Sequence, residues 1–480
     1  MLATLENDDR SAAPVTRRRT KIVATLGPVS RDARVLERLV EAGMDVARIN
    51  LSHGSTAEHT GSIAAVRRAA ARRTASRPHR PARPQAPPRG PARPLAVKAD
   101  ETVVLGAPPH AQLPVNFPEL LPRFSAGELV LVDDGAVALR VVAVTPPTVT
   151  LEVRNDGAIE SRKGVNLPDT QLPIGALTAN DRELLAWGLR QDVDYVALSF
   201  VRRAADVREL KALIAAAGGD QLVIAKIEKK EALADHEEIV AAADAVMVAR
   251  GDLGVEIDPA MVPIWQKRII HAANVAGKPV ITATQMLQSM VTAPRATRAE
   301  ASDVANASYD ATSAVMLSGE TAIGRYPVEA VRTMAEIAHV VEADIEREGR
   351  APQPWAAGRA GVSTAISHGA CEVAHRVGAA AIVSATFSGA TARAVARNLP
   401  AQPIVAVSPN RRVVNQLALC RGVSPLLGTR RGGFEEVVNE ASDLVLANGF
   451  AQQGQVVVVT AGLRTNEAGK TNLIKAHVLD

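Results

Sequence analysis

Two short apolar runs, residues 222–225 and 245–249, end abruptly in charge: the first in Lys226-Ile227-Glu228, the second in Arg250-Gly251-Asp252. A continuous apolar run of this length reads as a buried parallel strand, and the helix-length segment between the two reads as a crossover. In such units the chemistry gathers at the carboxyl ends of the strands. Residues at i and i+2 of a strand point to one side, so Lys226 and Glu228 leave the strand end together. Gly251 has no side chain, which would let substrate oxygens reach the backbone beside Asp252. Two carboxylates and one ammonium at a common mouth suit a divalent cation holding a phosphorylated anion. The same residues would serve as well as a Lys–Glu ion pair plugging the end of a barrel.

The elements that must position these groups follow a β/α rhythm. Apolar runs at residues 21–26, 45–49, 195–200, 222–225, 245–249, 280–283 and 314–317 read as seven strands separated by helical sequence, as over residues 35–42 and 57–73. Their ends offer, in order, Arg48, Asn50 and Ser52, then Lys226 and Glu228, Arg250 and Asp252, Thr282 and Thr284, Ser318 and Glu320. Between residues 95 and 170 the pattern changes to short alternating strands, with Asp133-Asp134-Gly135 and Asn155-Asp156-Gly157 as hairpin signals. The expected fold is α/β: a (β/α)8 TIM barrel with an inserted small β-barrel lid domain and a C-terminal α/β domain. The expected layout is a tail over 1–19, barrel over 20–94, lid over 95–172, barrel again over 173–345, and a regulatory domain over 346–480. In the last domain, strands are expected at 380–384, 404–407 and 456–460.

Composition narrows the function classes. A chain of 480 residues should hold several domains, because single cores stop growing near roughly 250–300 residues. Two cysteines, Cys371 and Cys420, are too few for a disulfide framework and lack metal-site spacing, which suits a reducing cytoplasm. The first 19 residues have no apolar core of a signal peptide, and no apolar run approaches the roughly 20 residues that span a bilayer. The net charge of +4 is local in origin: residues 61–99 hold nine Arg and one Lys without an acid. Without them 45 basic residues face 51 acidic ones, so global charge does not support nucleic-acid binding.

The residues 20–30, 44–54, 164–168, 224–228, 248–256, 277–290, 297–307 and 316–326 closely resemble, in order, the motifs of the pyruvate kinase family. The resemblance implies phosphoryl transfer from phosphoenolpyruvate to ADP in glycolysis. It implies that Glu228 and Asp252 bind Mg²⁺, and that Lys226 neutralises the phosphoryl group in flight. Backbone at Ala249, Arg250, Gly251 and Asp252 would hold the substrate carboxylate, and Thr284 would be tied to protonation of the enolate. Arg48 would contact phosphate, Asn50 and Ser52 would coordinate K⁺, and Pro28, His53 and Lys163 would lie on the nucleotide side. The loop with Thr386, Ser388, Gly389, Ala390 and Thr391 looks like one that holds the phosphate of a sugar-phosphate effector; an ordinary N-cap turn is the alternative. The inserted domain would close as a lid, and a cytoplasmic homotetramer is expected, with no nucleic-acid or membrane partner.

The resemblance breaks at residues 75–94, where seven prolines and five arginines occupy the slot of the third barrel strand. Proline cannot donate to a ladder, so this is no central strand but a polyproline-like segment. The family's Asp-Thr pair of the K⁺ site and a phosphate-contacting Arg are missing there. A shifted reading frame in GC-rich DNA would produce such a stretch. The break keeps open a catalytically impaired or non-catalytic homologue and, as a third reading, a Mg²⁺-dependent enolate lyase on the same barrel. Ala311, where the family has Gly, is expected to strain the approach to the last barrel strand.

Overall fold

The structure, a computed structural model, describes residues 18–52, 54–73, 95–106, 111–115, 118–133, 135–160, 165–170, 176–348, 361–429, 433–462 and 471–480, the side chains of 71–73 excepted. The aberrant segment 75–94 lies outside the described residues. The chain divides into two compact units, one over the described parts of 1–53, 270–281 and 286–480, the other over those of 54–269 and 282–285.

All seven expected barrel strands form: β1 (Lys21–Leu26), β2 (Val46–Ile49), β3 (Tyr195–Leu198), β4 (Leu222–Ile227), β5 (Ala245–Ala249), β6 (Val280–Ala283) and β7 (Ala314–Leu317). They make one sheet in the order β3-β4-β5-β6-β7-β1-β2. Pairings β1 with β7 and β2, and β4 with β3 and β5, are parallel. β1, β5, β6 and β7 are buried at every residue, as strands covered on both faces must be. Three boundaries differ from the sequence reading, the smallest being β2, which starts at Val46 rather than at residue 45. β3 stops at Leu198 because Phe200 turns into a left-handed backbone (φ +56°). β4 runs on through Ile227, so Lys226 sits inside the strand rather than after it. The crossover from β4 to β5 is two short helices, Lys230–Ala234 and His236–Ala242, broken at Asp235, whose carboxylate accepts the Ala204 amide at 2.9 Å.

Helix ends follow local chemistry. Asp32 caps the helix Ala33–Ala42 by accepting from the Arg34 and Val35 amides, and Gly43 (φ +117°) closes it. Thr297 and Glu300 form a capping box on the helix Arg298–Tyr309. Ala311 is left-handed (φ +61°), the strain expected where a side chain replaces glycine.

The inserted domain is a six-stranded sheet built on strands Leu129–Val132, Val137–Thr145, Thr148–Val153 and Thr102–Gly106, with alternate residues such as Leu139, Leu151 and Val153 fully buried. The Asn155-Asp156-Gly157 step is not the expected hairpin turn. Asn155 folds back on Ala136 and Ala138, and the chain passes to a separate ladder, Gly157–Ile159 with Leu95–Val97.

The C-terminal domain has β8 (Ala381–Ala385), β9 (Ile404–Ser408), β10 (Val423–Leu427), β11 (Val456–Gly462) and β12 (Thr471–Val478) in the order β10-β9-β8-β11-β12. β12 is antiparallel to β11. Neighbouring residues face opposite layers: Ile382 and Ala406 pack with helix Val362–Arg376, Val383 and Val405 with helix Phe434–Ala447. Sequence patterning missed β10, which contains a proline, and β12, whose polar alternation belongs to an edge strand. Among the described residues no helix is long and apolar enough to cross a membrane.

Candidate functional site

Four neighbouring strands, β3 to β6, deliver their ends to one cluster within a single compact unit. Lys226 Nζ lies 2.7 Å from Glu228 Oε2 and donates to Ser199 Oγ at 2.9 Å. The Phe200 amide donates to Glu228 Oε1 at 2.7 Å, which the left-handed turn after β3 makes possible. Glu228 is only 1% exposed, and its Oε2, although beside the lysine, has no hydrogen bond of acceptable geometry. Burial pushes the Glu228 carboxyl above its usual range; Lys226 pulls it down and the charge on Asp252 pushes it up again. Asp252 therefore faces Glu228 electrostatically, from the first turn of the helix Arg250–Glu256 that follows β5.

Thr284 completes the cluster. It follows β6 with φ +71°, and Gln285 after it has φ +54°, two left-handed non-glycine residues in a row. Each costs on the order of 1–3 kcal/mol and persists only where the surroundings impose it. Here they do. Arg250 donates to the carbonyls of Ala283 (3.3 Å) and Thr284 (2.8 Å) and to Gln266 Oε1 (3.2 Å), while Thr284 Oγ1 accepts the Gly251 amide at 2.6 Å. Arg250, expected near substrate, thus holds the turn that presents Thr284, and the Gly251 amide already has a partner. A Cβ at Gly251 would lie 3.3 Å from Thr284 Oγ1, so the absent side chain makes room for threonine as much as for substrate.

Buried carboxylate oxygens are normally hydrogen-bonded. A buried carboxylate whose Oε2 meets only Lys226, within the field of a second carboxylate, fits a divalent cation that takes two protein ligands and its remaining ligands from substrate and water. Among the described residues no group of three or more His, Cys, Asp or Glu could hold a metal. The structure thus brings together Lys226, Glu228, Arg250, Gly251, Asp252 and Thr284. It adds Ser199, Phe200, Lys229 and Glu256, which sequence reasoning missed. Glu256 was findable, because it stands one helical turn beyond Asp252.

The remaining expected residues have their own settings. In the other unit Arg48 Nη1 donates to Thr25 Oγ1 at 3.1 Å, its register partner on β1. Asn50 Oδ1 accepts the Ser52 amide at 3.5 Å within an open turn, and Pro28 is exposed. His53 and Lys163 lie outside the described residues. Thr282 is fully buried, and Glu320 braces the backbone by accepting the Leu287 and Ser318 amides. In the C-terminal loop Gly389 is left-handed (φ +81°) before the helix Ala390–Ala396, and Arg393 reaches back to the Ser388 carbonyl. The Thr391 hydroxyl is buried against Thr471 at 2.7 Å, whereas Ser384 Oγ is buried without a partner.

Comparison with known proteins agrees with this arrangement. A family model described as "Pyruvate kinase, barrel domain" matches residues 17–78 and 92–331, and "Pyruvate kinase, alpha/beta domain" matches 364–477. The chain is 42% identical to a pyruvate kinase of Geobacillus stearothermophilus, covering 96% of this chain and 81% of the relative. It is 38% identical to a pyruvate kinase of Clostridium acetobutylicum, covering 96% and 100%. A relative named pyruvate kinase 2 from a Synechocystis species is 43% identical over 96% and 79%. The barrel match skips residues 79–91, inside the proline-rich segment.

Proposed function

The chain belongs to the pyruvate kinase family, and from that membership we propose that it transfers the phosphoryl group of phosphoenolpyruvate to ADP, giving pyruvate and ATP in glycolysis. The observation that carries the reading is Lys226 beside Glu228, with Asp252 acting on the same carboxylate. Mg²⁺, held by Glu228 and Asp252, would supply positive charge that stabilises the phosphorylated substrate. Lys226, fixed by Ser199 and Glu228, stabilises charge on the group in flight without having to reorganise. The helix start at Arg250–Asp252 receives the substrate carboxylate. Thr284, whose Oγ1 accepts the Gly251 amide, serves proton delivery to the enolate carbon through water. Arg48 contacts phosphate, and Pro28, His53 and Lys163 serve the nucleotide.

The inserted domain acts as a lid, a role supported by its turn at Gly135, where a Cβ would sit 3.8 Å from Val255 on the helix of Asp252. Asn50 and Ser52 contribute to a K⁺ site whose third-strand acid is missing, since residues 75–98 contain no Asp or Glu. With the segment as written, turnover is therefore severely reduced or the K⁺ response lost. The loop over Thr386, Ser388, Gly389, Ala390 and Thr391 takes a sugar-phosphate effector, and the protein works in the cytoplasm as a homotetramer. A coupled assay of ATP formation, with and without K⁺, tests all of this at the centre. Turnover from phosphoenolpyruvate and ADP is expected; Mg²⁺ and substrate binding without ATP formation would instead favour the non-catalytic reading.

A further inference from the structure

Lys229 directly follows Glu228, and its Nζ donates to Glu256 Oε1 at 2.6 Å. The pair is enclosed, with side chains 17% and 3% exposed. Glu256 stands four residues after Asp252, so the two acids share one face of the helix Arg250–Glu256 a turn apart. The ion pair therefore joins the neighbour of one cation ligand to the helical neighbour of the other. Phe200 supplies a third point: its amide holds Glu228 Oε1, and its ring centroid lies 5.9 Å from Lys229 Nζ. A half-exposed phenylalanine in a left-handed backbone is costly unless something needs it there, and both of its engagements are with this arrangement.

We propose that Lys229, Glu256 and Phe200 form a positioning brace that sets the separation of Glu228 and Asp252 and thereby the affinity for a divalent cation. The inference rests on the assignment of Glu228 and Asp252 as cation ligands. None of the three residues need touch substrate. They act as outer partners do in metal sites, where their loss weakens metal binding by about 10–100-fold.

The test uses the full chain and Mn²⁺ alone as the probe, with free Mn²⁺ read from its electron paramagnetic resonance signal. In the double variant Lys229→Leu/Glu256→Leu the buried pair is replaced by apolar side chains, a change that often leaves stability intact. Its melting temperature is expected to stay within a few degrees of the parent while Mn²⁺ binds about tenfold more weakly. Parent-like Mn²⁺ affinity in that variant overturns the brace. Should the double variant not fold, Glu256→Asp decides, because it keeps both charges and shortens the reach by one methylene. It should weaken Mn²⁺ binding about threefold, and unchanged affinity again overturns the proposal. Glu228→Gln, measured alongside, separates the two levels. If it leaves Mn²⁺ binding intact, the ligand assignment fails and the brace with it; if it abolishes binding while the double variant keeps parent-like affinity, only the brace fails.

Discussion

Glu228 and Glu342 are both buried carboxylates, and the molecule treats them in opposite ways. Glu342, on the long helix Pro327–Glu348, accepts from the Thr20 amide (2.6 Å), the Thr20 hydroxyl (2.7 Å), the Arg19 amide (2.7 Å) and Arg421 (3.4 Å). Arg421 lies in the turn that leads into β10, so this one acid ties the start of the barrel to the C-terminal domain. Burial pushes the Arg421 guanidinium down from its ordinary value, and Glu342 opposes that. Glu228 has only one amide on Oε1 and one lysine beside Oε2, with a like charge acting on it. Saturation marks an acid that holds the fold together. A buried acid with so few partners marks one kept ready for a ligand, at a cost in stability.

Substitutions at the two acids should therefore separate activity from stability. The largest effect is expected for Glu228→Gln: turnover in the coupled assay falls on the order of 10³-fold, while thermal unfolding is unchanged or shifted upward. Turnover within tenfold of the parent would erase the contrast. Glu342→Gln leaves Arg421 buried without its counter-charge and should lose about 3–5 kcal/mol in denaturant unfolding, with Mn²⁺ affinity preserved in the folded protein.

Gly251→Ala lies between these. The new methyl would press on Thr284 Oγ1 and its bond to the 251 amide, so kcat should drop about tenfold with stability changed by about 1 kcal/mol. A parent-like kcat would show that the Gly251–Thr284 contact is mere packing. Glu300 gives the smallest effect and extends the comparison to the surface. It accepts from the amides and hydroxyls of both Ser289 and Thr297. Burial pushes its carboxyl up, but these four bonds outweigh it and hold the group below its ordinary value of 4.5. A lowered folded-state pKa means stability that is present above about pH 4.5 and lost as pH falls through the lowered value. Glu300→Gln should therefore flatten part of the acid limb of the stability–pH curve below pH 4.5, and an unaltered limb would contradict the assignment.

The proline-rich segment stands apart from this contrast. The barrel match resumes at residue 92, and the motifs are sound on both sides, as a locally shifted reading frame would leave them. Resequencing the coding DNA decides the matter: an intact frame encoding the same prolines rules a shift out.

Strand positions, the inserted sheet and the cluster of Lys226, Glu228, Asp252 and Thr284 were legible in the chain, because buried parallel strands are uninterrupted apolar runs and charged residues at their ends stand out. Seven barrel strands were located from that pattern alone. Arg250 was legible as a charge, but its role was not: only the folded chain turns its guanidinium onto the carbonyls of residues 283 and 284. The same holds for Phe200, whose backbone reverses to reach Glu228, and for Lys229, paired with an acid 27 residues away. β10 and β12 escaped notice because an edge strand buries one face and needs no continuous apolar run. Local spacing thus determines which groups reach a strand end. Which of them keep an unsatisfied atom depends on partners distant in sequence, since hydrogen bonding and desolvation are fixed only when the elements pack.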